Sequence, residues 1–369
     1  MIKFSKNNIK NSDILKINHI FKSGWLTHGK YTNLLENEIK KYTGAKYSVI
    51  LSSCTAGLHL SCIAAGFKKG DEIIVPAQTH TATAHAVEHT GARTVLVDVE
   101  KKTGNISYED FLRKVTKKTK GLIVVHMAGY PCKISKFLKF CKRKKIKIIE
   151  DCAHALGSRI EKKHVGNFGL SGNFSFYPTK QITTGEGGAL VTNSKNIYQK
   201  VKMLKAFGID KDINQRKKPG EYDVKNLGFN YRMTDFQAAL GYFQLKRYSL
   251  NLKRRKEIAK RYIFNFKNNT NIGHMPYSEN CSFFIFQIFT KNRNQLIAHL
   301  KEKKIGFSIH YPNPLNRMSY YKKKYKFKDK FFVNSINYGQ KSISLPCYPK
   351  LKNHEIDRIC KVVNSFKIK

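Results

Sequence analysis

Short apolar runs alternate with segments of helical spacing along much of the chain. The runs are YSVIL, DEIIVP, RTVLVDVE, GLIVVHM, IKIIED, NFSFYP and ALVTN, and helical segments such as KISKFLKFCKRKK lie between them. Short apolar runs bounded by turn residues are typical of buried strands. Strands that alternate with helices predict an α/β fold with a mostly parallel central sheet flanked by helices, in which ligands bind beyond the strand ends.

The end of the chain predicts a second, smaller unit. Residues 234–266 form one long helical pattern, with Thr234 or Asp235 placed as its N-terminal cap. Short strands (FFIFQIF) and a helix (NRNQLIAHLKEKK) follow from about Asn271. We predict a large domain over 1–245 and a smaller α+β domain over 246–369 that begins with a long connecting helix. Residues 208–226 are polar and predict an exposed loop.

Charge and cysteine content narrow the class of protein. The formal net charge is +44, but the basic residues are spread along the chain and accompany no nucleic-acid-binding motif. We therefore predict solvated basic helix faces and no specific nucleic-acid partner. The eight cysteines include no CxxC pair and no metal-type spacing, and no apolar run is long enough to cross a membrane. We expect reduced thiols, no metal, no membrane association and a cytoplasmic location.

Residues 148–193 carry the candidate chemistry. Asp151 closes the strand IKIIED, and Lys180 lies between NFSFYP and the flexible turn TTGEGG. An apolar setting disfavours a charged lysine, and a neutral lysine can form a Schiff base with pyridoxal phosphate (PLP). PLP also needs an acid at its ring nitrogen and a phosphate cradle. Asp151 and Lys180 are candidates for the first two tasks, although either residue alone is more often a turn residue or a surface group.

A strand, a small-residue turn and a helix predict the phosphate cradle. YSVIL precedes SSCTAG, which leads into LHLSCIAAG. Free N–H groups at a helix N-terminus bind anions, and the residues that would line this site are Ser53, Cys54, Thr55 and Ala56. The motif alone is nonspecific. His126, at another strand end, is either near the site or a structural histidine.

The segment EDCAHALG followed by GNFSFYPTKQITTGEGGALVTN resembles the signature of the DegT-type sugar aminotransferases. Further resemblance extends from GWLTHGKY through VPAQTHTATAHAVEHTGA and LGFNYRMTDFQAALGYFQL to IHYPNPL. The resemblance implies the PLP-dependent fold type I, transfer of an amino group from L-glutamate to a nucleotide-linked keto-sugar, and a homodimer with shared active sites. The commonest family substrates are 4-keto-6-deoxyhexoses, with 3-keto-sugars second, and the pathways make amino sugars for surface polysaccharides.

The resemblance also implies roles for individual residues. Lys180 and Asp151 would be catalytic. The further cofactor contacts would be His80 on the ring, His154 at the ring hydroxyl, Ser175 at the phosphate, and Asn230 at the phosphate of the neighbouring subunit. Candidate sugar contacts are Thr27, Gly29, His310 and Tyr311. The chain departs from common relatives at Asn316 and at SFFIF, where histidines are usual, so the sugar itself is not specified.

Two alternative functions stay open. A sugar dehydratase can use the same fold, but in such relatives a histidine replaces the Schiff-base lysine, whereas this chain retains Lys180. A noncatalytic regulator that binds PLP or polyanions is suggested by the charge. It would bind its ligand without turnover.

Overall fold

The computed structural model describes residues 1–211, 218 and 220–366. A seven-stranded sheet forms its centre, in the order β1-β9-β8-β5-β4-β2-β3. The strands of this sheet are β1 (Tyr47–Leu51), β2 (Glu72–Pro76), β3 (Arg93–Val97), β4 (Thr119–Val125), β5 (Lys147–Asp151), β8 (Ser171–Ser175) and β9 (Gly188–Thr192). A separate hairpin consists of β6 (Arg159–Ile160) and β7 (Lys163–His164). Within this sheet β9 runs antiparallel to both of its neighbours, β1 and β8, and the other described pairings are parallel. The predicted, mostly parallel sheet is confirmed.

Helices cover the sheet, and a smaller sheet follows it. The helices are α1 (Asn11–Ser23), α2 (Lys30–Thr43), α3 (Cys54–Ala64), α4 (Thr81–Glu88), α5 (Tyr108–Lys114), α6 (Ser135–Arg143), α7 (Lys195–Leu204), α8 (Asp235–Lys246), α9 (Tyr248–Phe266), α10 (Arg293–Glu302), α11 (Ser319–Tyr325), α12 (Val333–Lys341) and α13 (Asn353–Asn364). The three-stranded sheet contains β10 (Gly273–His274), β11 (Phe286–Phe289) and β12 (Ser342–Leu345).

The end of β5 directs two neighbouring acids to opposite faces of the sheet. Glu150 is fully buried and accepts hydrogen bonds from the N–H groups of Gly166, Phe168 and Gly169. Its Oε2 also lies 3.2 Å from Nε2 of His126. Burial opposes ionisation of Glu150, but the hydrogen bonds outweigh it, so the pKa of this carboxyl lies below its usual value. The structure thus places His126 in a structural network, whereas Asp151 faces the other way.

The helical pattern of residues 234–266 is divided at Arg247. Its φ of −113° and ψ of 10° separate α8 from α9. The Arg247 guanidinium pairs with the buried carboxylate of Asp13 and donates to the carbonyl of Asn8 at 2.9 Å. The break is therefore fixed by a contact with the beginning of the chain. Thr234 caps α8, together with the Gln237 side chain, as predicted.

A second apolar core surrounds the small sheet. Ile258, Tyr262 and Phe266 of α9 pack there, whereas Tyr248 at the start of α9 packs in the core of the large sheet. Ile2 also belongs to the second core: its N–H donates to Lys304, and its carbonyl accepts from Gly306. The predicted domain boundary between residues 245 and 246 stays a prediction.

Part of the predicted small domain packs on the large sheet. Leu315, Tyr321 and Phe332 lie in one cluster with Val75 and Ile123 of strands β2 and β4. This packing brings the preceding segment, which contains His310 and Tyr311, to the edge of the large sheet.

The predicted loop, the cysteines and the helices can each be compared with the sequence-based predictions. Residues 212–217 and 219, in the predicted loop, lie outside the described residues. All eight cysteines are unpaired and buried. Among the helices of the described ranges, none is long and apolar enough to cross a membrane.

Candidate active site

A cavity of about 470 Å³ lies at the carboxyl edge of the large sheet. Because β5 and β8 run parallel, their last residues, Asp151 and Ser175, meet at this edge. The predicted site residues that line the cavity are Ser53, Cys54, Thr55, His80, Asp151, Ser175, Lys180, His310 and Tyr311. Residues from distant parts of the sequence are therefore assembled around one space.

Lys180 lies in the loop between β8 and β9. Its Nζ is 4.4 Å from the centre of the Phe284 ring, and no carboxylate among the described residues forms an ion pair with it. Burial lowers the pKa of Lys180 to about 8, against the opposing influence of Cys54 and Asp151. A substantial fraction of this side chain is therefore neutral near pH 8, as a lysine that bonds covalently to a carbonyl requires.

Asp151 is buried at the end of β5 and held in one orientation. Its Oδ2 accepts a hydrogen bond from the Thr83 hydroxyl at 2.8 Å, and its Oδ1 accepts from the N–H of Ala153 at 3.1 Å. The hydroxyl of Thr83 lies 2.8 Å from that of Thr79. Each carboxylate oxygen retains capacity for a further donor. Asp151 can thus present negative charge to a cationic ring nitrogen.

The N-terminus of α3 forms one wall of the cavity. Ser53 is its cap and accepts from the N–H of Ala56 at 3.0 Å, so Ala56 uses its N–H locally and does not line the cavity. A Cβ on Gly188 of β9 would lie 2.4 Å from the nitrogen of Cys54. Only glycine therefore lets β9 approach this helix end so closely. First-turn N–H groups have no partner within their own helix and suit a phosphate.

The thiol of Cys54 is unreactive as a nucleophile. Burial, followed by the neighbouring Asp151 carboxylate, raises the pKa of Cys54 well above its ordinary value. Its Sγ donates to the carbonyl of Asn173 at 3.4 Å. The thiol therefore stays protonated and does not compete with Lys180 as a nucleophile.

Neutral imidazoles lie beside the lysine. His154 is buried, and its Nε2 lies 3.1 Å from the hydroxyl of Tyr311, through which it adjoins the cavity. Burial, then the charge of Lys180, holds the pKa of His154 well below its usual range, and the same causes lower the pKa of His310 to about 3. His80 caps α4 through its Nδ1, which accepts from Ala82. These rings add hydrogen-bonding atoms without adding charge.

Three predicted residues lie away from this cavity. Thr27 and Gly29 line a separate cavity of about 90 Å³, and the exposed Asn230 forms a backbone bridge with Ala206 at that second site. A Cβ on Gly29 would lie 2.2 Å from Oδ2 of Asp235, which explains the glycine structurally. Within one chain, these residues do not reach the cavity, and their roles stay predictions.

Several residues near the site were not predicted. Tyr177, Thr179, Glu186 and Gly187 line the cavity, and their positions next to Lys180 and in TTGEGG were available signals. Thr83 precedes Asp151 by 68 positions, and Phe284 belongs to the apolar core around the three-stranded sheet. The resemblance of VPAQTHTATAHAVEHTGA and the departure at SFFIF point to these two segments, but nothing in the local sequence indicates the contacts that Thr83 and Phe284 make.

A comparison with family models decides the relationship. The model described as DegT/DnrJ/EryC1/StrS aminotransferase family matches residues 7–364. The chain belongs to this aminotransferase family. The predicted resemblance is thus confirmed over nearly the whole chain.

Individual proteins are similar to this chain over nearly their full lengths. The chain is 33% identical to the spore coat polysaccharide biosynthesis protein SpsC of Bacillus subtilis, covering 97% of this chain and 95% of SpsC. It is 34% identical to GDP-perosamine synthase of Escherichia coli O157:H7, covering 95% and 94%. The solved structure of Spr1654 from Streptococcus pneumoniae in its PMP form superposes with a TM-score of 0.92 at 30% identity, covering 99% and 98%.

PLP is the cofactor of this DegT-family chain, since Spr1654 is known in PLP and PMP forms. The residues present fit the group. Lys180 has a lowered pKa and no ion pair within the described chain, and Gly188 leaves the end of α3 open. Asp151 has acceptor capacity at the buried end of the cavity. The candidate site therefore brings together an amine, a helix N-terminus that suits a phosphate, and an acid.

Proposed function

We propose that this protein transfers an amino group from L-glutamate to a nucleotide-linked keto-sugar, a 4-keto-6-deoxyhexose in preference to a 3-keto-sugar. The observation that carries the proposal is the placement of Lys180 and Asp151 in one cavity beside the N-terminus of α3. Similarity to GDP-perosamine synthase and to SpsC supports a nucleotide-linked sugar and a role in polysaccharide synthesis. The unpaired, buried cysteines support a cytoplasmic location.

Different residues of the cavity would have separate roles in transamination. When bound, PLP supplies an electron sink for the negative charge that develops on the substrate carbon. Lys180 would hold the cofactor covalently, and its neutral amine, once released, would carry the proton that leaves the substrate carbon. Asp151 would keep a proton on the ring nitrogen of the bound cofactor, and the N–H groups of Cys54 and Thr55 would bind its phosphate. Retention of Lys180 favours this function over a dehydratase.

The donor half-reaction tests the proposal. We expect the full chain loaded with PLP to form about one equivalent of 2-oxoglutarate per site when L-glutamate is added alone, because the first half of the exchange needs no acceptor. The visible absorption of the cofactor should change at the same rate. D-glutamate is the matched control and should leave both signals unchanged. If PLP is bound but L-glutamate causes neither 2-oxoglutarate formation nor a change in absorption, the proposed donor is contradicted. That result would favour another donor, a dehydratase or a regulator.

We also propose that two chains form a homodimer and share each active site. Exposed apolar side chains support this proposal: Trp25 is 55% exposed and Leu227 is 90% exposed. Exposed apolar patches are typical of interaction surfaces. Trp25 precedes Thr27, and Leu227 precedes Asn230, the residues that do not reach the cavity of their own chain.

Leu227→Glu tests the dimer. We expect the substitution to weaken self-association about tenfold or more, because a charge at an apolar contact must be desolvated. The measurement is molar mass by light scattering over a dilution series. Leu250→Glu is the control, since Leu250 is 72% exposed on α9. A wild-type chain that is monomeric throughout, or equal behaviour of both variants, would contradict the proposed interface.

A further inference from the structure

The aromatic ring of Phe284 contacts three residues of the candidate active site. Nζ of Lys180 lies 4.4 Å from its centre. The imidazole of His154 stacks on it at 4.5 Å with an interplanar angle of 24°, and that of His310 meets it edge-on at 5.7 Å and 80°. Phe284 itself is only 3% exposed. One buried ring from the small domain therefore supports the lysine and both neutral histidines.

The backbone holds this ring firmly. The N–H of Phe284 donates to the carbonyl of Ala128 at 3.1 Å, which ties it to the loop after β4. The guanidinium of the buried Arg255 donates to the carbonyls of Phe283 and Phe284 at 3.2 and 3.0 Å, and also to that of Cys347. A side chain backed by such bonds keeps its position when a neighbour moves.

The face of an aromatic ring attracts an ammonium group. This attraction grows when the pair is removed from water. Within the described chain, no carboxylate forms an ion pair with Lys180. The Phe284 ring, 4.4 Å from Nζ, therefore favours the charged form by direct contact, in addition to the influence of Cys54 and Asp151. The ring also excludes water and thereby favours the neutral form. The face of the Phe284 ring thus opposes part of the lowering of the Lys180 pKa that burial causes.

We propose that Phe284 is a positioning residue for Lys180, whose ring face holds Nζ whenever the lysine is not bonded to the cofactor. This inference rests on the proposed role of Lys180. In transamination the amine is released and must remain close to the substrate carbon while it carries a proton. A fixed ring under Nζ keeps the long side chain in one place without the fixed charge of a carboxylate, which would hold the ammonium too strongly.

The proposal is tested by the proton affinity of the amine itself. Two samples of the full chain are compared, one freed of cofactor and one loaded with pyridoxamine phosphate. Each is labelled with limiting acetic anhydride over a series of pH values. The extent of labelling at Lys180 is measured by peptide mass spectrometry. The wild-type midpoint is expected near 8. Phe284→Leu keeps an apolar side chain but loses the ring. In this variant we expect the midpoint to fall by about 0.5–1 pH unit. Phe284→Tyr should restore it.

Phe286→Leu is the matched control. It makes the same change two residues later, at a fully buried ring that packs on Tyr262 at 4.9 Å. Its midpoint should equal that of the wild type. An equal midpoint in Phe284→Leu and Phe286→Leu would overturn the proposal, and Phe284→Met gives the same comparison if the leucine variant does not fold. The readout needs no substrate, so its failure would leave the donor half-reaction to decide the proposed function separately.

Discussion

Replacing Lys180 with alanine is expected to lower glutamate-dependent turnover by about 10³-fold or more, because the substitution removes both the covalent anchor of the cofactor and the proton carrier. Lys180 combines a pKa of about 8 with a position on the cavity wall. The initial rate with L-glutamate and a nucleotide-linked keto-sugar measures the loss. Borohydride reduction of the PLP-loaded wild type should fix the pyridoxyl group on the peptide that contains residue 180.

Lys162→Ala is the control for this experiment, because Lys162 is exposed in the β6–β7 hairpin. It should keep full turnover and the same labelled peptide. A pyridoxyl group recovered on another lysine, or turnover that survives in Lys180→Ala, would remove Lys180 from the proposed mechanism.

Asp151→Asn is expected to slow the donor half-reaction by about 10²–10³-fold while PLP stays bound to Lys180. Asparagine keeps the size of the side chain but not its negative charge, so the ring nitrogen of the cofactor is no longer held protonated. The rate of 2-oxoglutarate formation in a single turnover measures the effect. Borohydride fixation of PLP should remain, which separates lost chemistry from lost binding.

Thr83→Val provides a graded comparison. It removes the 2.8 Å hydrogen bond to Oδ2 but leaves the charge of Asp151 in place. We expect it to slow the reaction by about tenfold or less. Equal losses in Thr83→Val and Asp151→Asn would show that orientation matters rather than charge, and an Asp151→Asn rate close to wild type would remove the acid from the mechanism.

The sequence predicted the large sheet and the meeting of its strand ends. Buried parallel strands are nearly all apolar, so runs such as IKIIED are visible without any alignment. Asp151 and Ser175 converge because parallel strands end at one edge. The direction of β9 was not predictable, since an apolar run looks the same in both directions.

Features set by distant contacts were not visible in the local sequence. The division between α8 and α9 depends on the pairing of Arg247 with Asp13, 234 positions away, while the residues around Arg247 retain good helical spacing. Likewise, the position of Phe284 under Lys180 depends on packing between the two cores. The SFFIF segment shows only that an aromatic side chain replaces a usual histidine, not which residue that ring contacts.

The contact of Ile2 with Lys304 and Gly306 has a consequence for synthesis on the ribosome. The partners of Ile2 are translated some 300 positions after it, so Ile2 lacks these two hydrogen bonds until residues 304 and 306 have emerged. Contacts of such long sequence separation form late and slow folding. A fragment that begins at residue 246 would lack this piece of its own core. Ile2 is thus among the residues that reach their native contacts late.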